Sequence, residues 1–442
     1  MDTVLLLLHG AVVIGAIYLG VREGGLGLGV WGLVGVFVLV YGFRQPPGNP
    51  PTDAVFIVIA VIVAASAMQL AGGIDWMVGV AATLIRGRPQ AVVYLAPAMA
   101  FLFTVGAGTG NIFYPLLPVI YDVSYRAGIR PERPLAVSAV ASQVGILASP
   151  VSAATAAMVT LLEPEGFSLS KLLIVMWPAS IAGLLAASFV MSRWGKPLDQ
   201  DPVYQQRLAA GRVKEPEAVD VDLAKLPANA KRAALIFLGG VAVIVLLGLF
   251  ESLRPEFGAG DDAARVSVTV TIQIVMGLVG AIILLLPGVK GSDVSKQPTF
   301  AAGMTGAIAL FGIAWLADTF IQAHQSEIVD SLSSAVQDFE ILFAVALFMV
   351  AALTTSQSSA TRAIVPIGLS LGLSPASMSA MWPAAMGIYL LPANGSQIAT
   401  VAFDQTGTTK IGNAVINHSF LLPTMVFVVV AIAVGFIVSP LV

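Results

Sequence analysis

The chain has 442 residues, of which 57% are hydrophobic and 11% are charged, and its formal net charge is −3. Soluble domains carry roughly 25% charged residues, so this composition excludes a soluble globular protein. No basic aromatic stripe suggests a nucleic-acid partner, and the absence of cysteine excludes disulfides and thiolate metal sites. We therefore expect an all-α polytopic protein embedded in the lipid bilayer.

Charge-free apolar runs longer than about 18 residues predict membrane spans, and they fill most of residues 1–90. The next run, 91–122, has arginines on both flanks and is divided by the polar cluster 107–111. Its arms, of about 16 and 11 residues, would be roughly 24 and 16 Å long as helices, too short for a 30 Å core. We expect a re-entrant hairpin that enters from the cytoplasm.

Loop charge sets the remaining topology. The polar stretch 193–231 is rich in Lys and Arg and is expected in the cytoplasm. After the spans within 232–335, the run 341–373 follows acidic residues and predicts a second hairpin, entering from outside. The spans total about ten, besides the two hairpins, and both termini are expected outside.

One building block occurs twice at a constant offset of 247 residues. Pro51-Thr52 matches Pro298-Thr299, the cluster AGTGN at 107–111 matches TTSQS at 354–358, and Ser149 matches Ser396. Polar breaks also interrupt the apolar segments 134–162 and 376–404. Matching interruptions in two halves of opposite topology are typical of secondary transporters with an inverted repeat and a substrate site at the repeat interface.

The repeat suggests that each half contains one scaffold segment and one transport segment. Residues 1–90 and 232–335 would form a scaffold with the contacts of a homodimer, and 193–231 a cytoplasmic loop. Residues 91–192 and 336–442 would form a transport unit that moves as an elevator.

Helix N-termini exposed at such breaks favour anions, and hydroxyl and amide groups add donors. Two facing donor sets would suit a small dicarboxylate, although the same oxygens equally bind Na⁺. Small residues can also serve helix packing, and a serine can cap a kink. The substrate-binding candidates are Gly108, Thr109, Gly110, Asn111 and Ser149 in one set, and Ser356, Ser358 and Ser396 in the other.

Three charged residues have alternative roles. Arg362 could pair with a substrate carboxylate, with Asp318 or with lipid phosphate. Asp318 is expected inside the membrane, where an acid either carries a coupling ion or forms a structural pair. Asp404 is expected at a cytoplasmic helix junction, with a structural, regulatory or coupling role. The three histidines (His9, His324 and His418) are scattered, and no metal site is expected.

Several motifs resemble those of the Dcu-type anaerobic C4-dicarboxylate transporters, and the likeness covers nearly the whole chain. They are AGGID, AGTGN, ASPVSAA, DPVYQQRL, AWLADTF, SQSSAT, IATVAFDQTGTTKIG and NHSF. Residues 398–420 are nearer the DcuB branch than DcuA. The chain departs from the family pattern at 393–397, and Arg362 stands where Lys is expected.

The resemblance implies uptake of fumarate, malate or aspartate in exchange for succinate across the bacterial inner membrane, with no cofactor. It also implies kinship with elevator transporters that carry paired hairpins. Two alternatives stay open. One is a Na⁺- or H⁺-coupled symporter of a related carboxylate. The other is an intramembrane enzyme or sensor partner, for which the chain offers no nucleophile–base constellation and no soluble signalling domain.

Overall fold

The computed structural model describes residues 2–23, 26–213, 223, 226–258, 264–324, 340–391, 394–411 and 417–442. These residues are largely helical. In the described part there are only two strands, each of two residues: β1 (Glu256–Phe257) and β2 (Ala264–Arg265). They pair in the antiparallel direction. The expectation of an all-α architecture is therefore met apart from this short ladder.

The first half of the chain contributes helices that follow one another with short connections. They are α1 (Asp2–Glu23), α2 (Gly27–Phe37), α3 (Thr52–Leu70), α4 (Gly73–Gly87), α5 (Val92–Ala107), α6 (Leu117–Arg126), α7 (Glu132–Ala148), α8 (Ala153–Leu162) and α9 (Leu169–Ser192). A π-helical turn, Val38–Gly42, continues α2, and a 3₁₀ helix, Gly110–Leu116, connects α5 to α6.

The second half begins after α10 (Pro202–Ala209), a short helix in the polar stretch with no buried residue. Its helices are α11 (Ala230–Leu249), α12 (Val268–Leu284), α13 (Gly291–Val294), α14 (Pro298–Ala323), α15 (Ile341–Thr354), α16 (Gln357–Ser370), α17 (Pro375–Met381), α18 (Gly395–Phe403) and α19 (Leu421–Val438). A 3₁₀ segment, Trp382–Tyr389, extends α17.

Six helical segments of the described residues are long and apolar enough to cross a bilayer. They are Pro89–Ala107, Glu132–Glu165, Leu169–Ser192, Ala230–Leu249, Pro298–Phe320 and Leu421–Leu441. The bent pair Val55–Leu70 and Gly73–Gly87, with 71° between its arms, makes up to seven. Four apolar helices are shorter, including Val268–Leu284. The chain is thus a multi-pass membrane protein, and the total of about ten spans stays a prediction.

Glycine positions explain two local features. Gly72, at φ +83°, ends α3 in the left-handed region that only glycine adopts freely and so permits the bend into α4. Gly29 and Gly32 of α2 face Gly312 of α14 so closely that a Cβ on Gly312 would lie 1.9 Å from the Gly29 carbonyl oxygen. The glycine-rich sequence around residues 27–32 therefore serves helix packing.

The helices pack in two groups. In one, α3 and α14 form the centre, with α2, α11 and α12 against them. In the other, α7 packs between α5 and α9, α9 lies along α19, and α15 contacts the 3₁₀ segment after α17. The groups meet where α3 contacts α8 and α14 contacts α16. This boundary positions the candidate site.

The expectation that the three histidines are scattered was wrong for two of them. His9 of α1 and His324, just after α14, are both buried, and their Nδ1 and Nε2 atoms lie 2.7 Å apart. They are 315 residues apart in the sequence, and the packing of α1 with α14 brings them together. Among the described residues no group of three metal-ligating side chains forms.

Candidate functional site

A cavity of about 380 Å³ lies at the boundary between the two groups of helices. One wall is smooth, because it consists of short or apolar side chains of α3 and α14, including Val58, Ile62, Gly303 and Gly306. The opposite wall is polar and consists of the connections where other helices begin.

The first polar element is the connection between α5 and the 3₁₀ helix Gly110–Leu116. Gly108 adopts φ +69°, and a Cβ there would lie 2.9 Å from the Val151 carbonyl oxygen. A Cβ on Gly110 would lie 2.7 Å from Nε2 of Gln143. The glycines thus let this turn press against the α7–α8 region while Thr109 lines the cavity. Asn111 is the second residue of this 3₁₀ helix, but its side chain is outside the described ones.

The second polar element is the connection between α15 and α16. Thr355 adopts φ +51°, a left-handed conformation that is strained for a threonine. Ser356 then caps α16, since its hydroxyl accepts from the Ser359 amide at 3.3 Å. The hydroxyls of Ser356 and Ser358 are 3.3 Å apart, and both residues line the cavity.

Two further helices begin at the same cavity. Ser152 caps α8 by accepting from the Thr155 amide at 3.1 Å, and the neighbouring Ala153 lines the cavity. Asn394 caps α18 in a capping box with Gln397, whose Oε1 accepts from the Asn394 amide at 3.0 Å. Counting the 3₁₀ helix, four helical N-termini meet at one cavity.

The structure does not bring Ser149 or Ser396 to the cavity wall. Ser149 is fully buried, donates to the Val105 carbonyl at 2.7 Å and accepts from the Val151 amide. Ser396 lies one residue inside α18, within hydrogen-bond distance of Asn394 and of the Tyr389 hydroxyl. Both were expected to contact substrate. Their hydrogen-bond partners lie at the two breaks, and a substrate-binding role for either serine stays a prediction.

Arg362 and Asp318 also lie away from the cavity. Arg362, on α16, donates to the Thr160 hydroxyl of α8 at 2.9 Å. Asp318, on α14, is half-buried and accepts from the Asn49 amide at 2.5 Å and from Gln322 at 2.8 Å. The two charges are close enough to interact electrostatically. The structural pair is one of the alternatives stated for both residues, and their roles stay predictions.

Asp404 ends α18 at a separate place. Its carboxylate is buried and accepts from the amides of Thr406 and Thr409 and from the hydroxyls of Thr406 and Thr408. Thr408 in turn accepts from the amide of Glu132 at the start of α7, at 3.2 Å. The carboxylate therefore organises the helix junction.

Sequence reasoning missed several polar residues that line the cavity, among them Tyr114, Gln143, Gln357 and Asn394. Gln143 carries an amide side chain within α7, and its backbone carbonyl accepts from Nε2 of Gln357 at 3.1 Å. The pair Ser142-Gln143 inside an otherwise apolar stretch was the available signal. Asn394 was noted only as part of a departure from a family pattern.

No Lys, Arg, Asp or Glu is among the described residues that line the cavity. A bound anion would therefore meet hydroxyls, amides and the unpaired N–H groups of helix N-termini, which carry a partial positive charge. Several such termini converging on one small space form an anion-binding arrangement without a cation.

The chain matches the family described as anaerobic C4-dicarboxylate membrane transporter over residues 5–442. Among solved structures, Neisseria gonorrhoeae MtrF aligns with a TM-score of 0.49 at 13% identity, covering 96% of this chain and 97% of MtrF.

Curated relatives cover nearly the whole chain. The anaerobic C4-dicarboxylate transporter DcuB of Escherichia coli O6:H1 is 38% identical over 434 residues, covering 96% of each chain. The C4-dicarboxylate transporter DcuA of Helicobacter pylori is 36% identical over 443 residues, covering 98% of each. These relatives are membrane transporters rather than enzymes. The chain belongs to the DcuA–DcuB family of anaerobic C4-dicarboxylate membrane transporters, closer to DcuB than to DcuA.

Proposed function

We propose that this protein exchanges C4-dicarboxylates across the bacterial inner membrane, taking up fumarate, malate or aspartate and releasing succinate. The observation that carries the proposal is the meeting of four helical N-termini at one cavity, whose described lining residues include no charged side chain. The named relatives transport C4-dicarboxylates, and the cavity offers what such a substrate requires.

Size and charge both fit. The cavity of about 380 Å³ lies in the range of roughly 300–1,000 Å³ that is usual for small-molecule sites. Its donors come from two directions, the turn at Gly108–Gly110 and the turn at Ser356–Ser358. A four-carbon diacid has one carboxylate for each set. Asn394 and Gln143 would hydrogen-bond the remaining oxygens.

The transport step is alternating access by an elevator shift of one group of helices past the other. The wall of α3 and α14 supports this, since glycines and short apolar side chains make up most of it. In this proposal α3 and α14 belong to the scaffold halves, 1–90 and 232–335, and the four N-termini belong to 91–192 and 336–442. The scaffold would also form the homodimer contact.

Substrate release to both sides follows from an inverted repeat. In the proposed topology the hairpin 91–122 enters from the cytoplasm, the hairpin 341–373 enters from outside, and both termini lie outside. The left-handed residues Gly108 and Thr355, at equivalent repeat positions, support the internal duplication.

Counterflow in proteoliposomes tests the exchange. Vesicles preloaded with succinate should take up labelled fumarate, malate or aspartate, whereas empty vesicles should take up little. Ser295→Ala, at an exposed loop position, serves as a control that should transport normally. Failure of every pair of C4-dicarboxylates to exchange would overturn the proposal.

The alternative is a Na⁺- or H⁺-coupled symporter of a related carboxylate. Hydroxyl and amide oxygens at the cavity are also ligands for Na⁺, and Asp318 provides an acid in a spanning helix. The two proposals differ in one requirement. A symporter needs an ion gradient and no internal dicarboxylate, while an exchanger needs internal dicarboxylate and no gradient.

A further inference from the structure

A second cavity, of about 430 Å³, lies between α10 and the segment that follows α18. It shares no lining residue with the first cavity. Three basic side chains line it, Arg207 and Arg212 from one side and Lys410 from the other, together with Asp404 and Thr409. The charge of the stretch 193–231 places this cavity at the cytoplasmic face.

The one carboxylate among the described residues that line this cavity is already satisfied. Asp404 accepts from the Thr406 amide at 2.9 Å, the Thr408 hydroxyl at 2.8 Å and the Thr409 amide at 2.6 Å. Its oxygens therefore face the loop that they organise. Among the described lining residues the cations exceed the carboxylate by two charges.

The side chain of Arg207 packs tightly against the loop that follows α18. Gly407 adopts φ +73°, and a Cβ there would lie 2.6 Å from Nη1 and 2.7 Å from Cδ of Arg207. The guanidinium thus packs directly on the Gly407 backbone. Its Nε is buried without a hydrogen-bond partner in the described part of the chain.

Thr409 supplies a second unsatisfied group. Its side chain is only 2% exposed, and its hydroxyl has no hydrogen-bond partner among the described residues. Buried polar atoms are nearly always hydrogen-bonded, and leaving one unsatisfied costs about 1–3 kcal/mol. A buried donor on the wall of a basic cavity indicates a missing acceptor.

We propose that the second cavity binds a phosphate-bearing anion. A phosphate monoester carries about −1.5 to −2 charges at pH 7, which balances the excess of two cations. Arg207 would bind it through its guanidinium fork, Lys410 and Arg212 would add charge, and the Thr409 hydroxyl would donate to a phosphate oxygen. A soluble phosphate ester and the headgroup of an anionic lipid share this chemistry.

Titration calorimetry on the full chain in nanodiscs tests the assignment. In discs of phosphatidylcholine alone, inorganic phosphate and glycerol 3-phosphate are the soluble probes. In a second arm, discs that contain phosphatidic acid are tested for retention of that lipid by the purified protein. Binding in the first arm identifies a soluble ligand, and selective lipid retention in the second identifies a headgroup. Either result supports the site, provided that the variants below respond.

Arg207→Gln and Thr409→Val should each weaken binding about tenfold, because each removes a hydrogen bond to a charged group. Thr409→Val should melt at the wild-type temperature or above it, since it removes an unsatisfied hydroxyl, so its weaker binding would not reflect misfolding. Lys196→Gln, which removes an exposed cation from the same polar stretch, should bind as the wild type does.

Three outcomes would overturn the proposal. One is no binding of either phosphate probe together with no preference for phosphatidic acid. Another is binding of equal strength in wild type, Arg207→Gln and Thr409→Val. The third is binding of succinate, sensitive to both substitutions, with no binding of phosphate.

Discussion

At the residue scale, the two turns at the cavity share a left-handed backbone conformation but reach it with different residue types. Gly108 adopts the left-handed conformation at no steric cost, whereas Thr355 adopts it against the preference of a residue with a Cβ. The following residues, Thr109 and Ser356, both reach the cavity. In both turns, therefore, a left-handed residue directly precedes a hydroxyl-bearing residue that lines the cavity.

Gly108→Ala should lower both stability and exchange. The left-handed conformation costs about 1–2 kcal/mol for a residue with a side chain, and the new Cβ would press on Val151. Apparent melting temperature and fumarate–succinate exchange rate are the measurements. Gly87→Ala is a matched control, since a Cβ there meets no atom within 4 Å, and it should leave both values near wild type. Equal behaviour of the two variants would contradict this account of the turn.

Ser356→Ala tests whether the Ser356 hydroxyl only caps α16 or also donates a hydrogen bond to the substrate. Loss of an N-cap costs about 1 kcal/mol, and loss of a hydrogen bond to a charged substrate should raise the KM for fumarate about tenfold. Ser374 is a matched control because it caps α17 through the Ser377 amide at 3.0 Å and is exposed away from the cavity. Ser374→Ala should lose similar stability and keep its KM. A KM unchanged in Ser356→Ala would remove Ser356 from the substrate site.

At the scale of elements, a buried ionic network fixes α10 to the start of α7. Arg130 donates from Nε to Glu132 at 2.6 Å and from Nη1 to Asp201. Asp201 also caps α10, accepting from the amides of Val203 and Tyr204 at 2.9 and 3.0 Å. The carboxyl of Glu132 accepts from Ser419 at 2.5 Å. Segments from three parts of the chain are joined at one point.

Burial alone would raise the pKa of Asp201. The Tyr204 amide and the Arg130 guanidinium outweigh it and lower that pKa below its ordinary value of 3.8. A carboxyl whose pKa is depressed by folding stabilises the folded state above its unfolded pKa, and this stabilisation is lost as the pH falls through the folded value. The attachment of α10 should therefore be complete at neutral pH and weaken below about pH 3.8.

Asp201→Asn should loosen α10 at neutral pH, because asparagine keeps the helix cap but loses the charge that pairs with Arg130. Hydrogen exchange of the α10 amides, corrected for intrinsic rates, should show an opening free energy lower by about 1–3 kcal/mol. The difference from wild type should shrink as the pH falls below 3.8. Asp199→Asn, at an exposed position nearby, should show no difference. If the difference in opening free energy between wild type and Asp201→Asn stayed the same at low pH, the ion pair with Arg130 would not be its cause.

At the scale of the whole molecule, the two halves bring matching elements to the cavity. The helices α5 and α15 end at Ala107 and Thr354, which the proposed repeat pairs, and a left-handed residue follows each. The breaks correspond less closely, because α8 begins four residues after Ser149 while α18 begins one residue before Ser396. The proposed repeat is therefore matched more closely at the turns than at the breaks.

Single-cysteine labelling tests the inverted arrangement, and the chain supplies a background without cysteine. Impermeant thiol reagents applied from each side should reach Thr109→Cys and Ser356→Cys with opposite preference, and saturating fumarate should change both rates. Ser295→Cys and Leu253→Cys, at exposed loop positions, serve as markers for the inside and the outside. Labelling of both turns from one side only, unaffected by fumarate, would reject both the inversion and the elevator.

By itself the sequence determined the membrane class, the family and the positions of the two turns, because hydropathy, glycine and clustered hydroxyls act locally along the chain. Only the tertiary structure decided which polar groups meet. Gln143 and Asn394 reach the cavity, whereas Ser149, Ser396 and Arg362 are held behind it by Val105, Tyr389 and Thr160. These contacts join helices far apart in sequence, so their outcome depends on how whole helices pack, which no local pattern encodes.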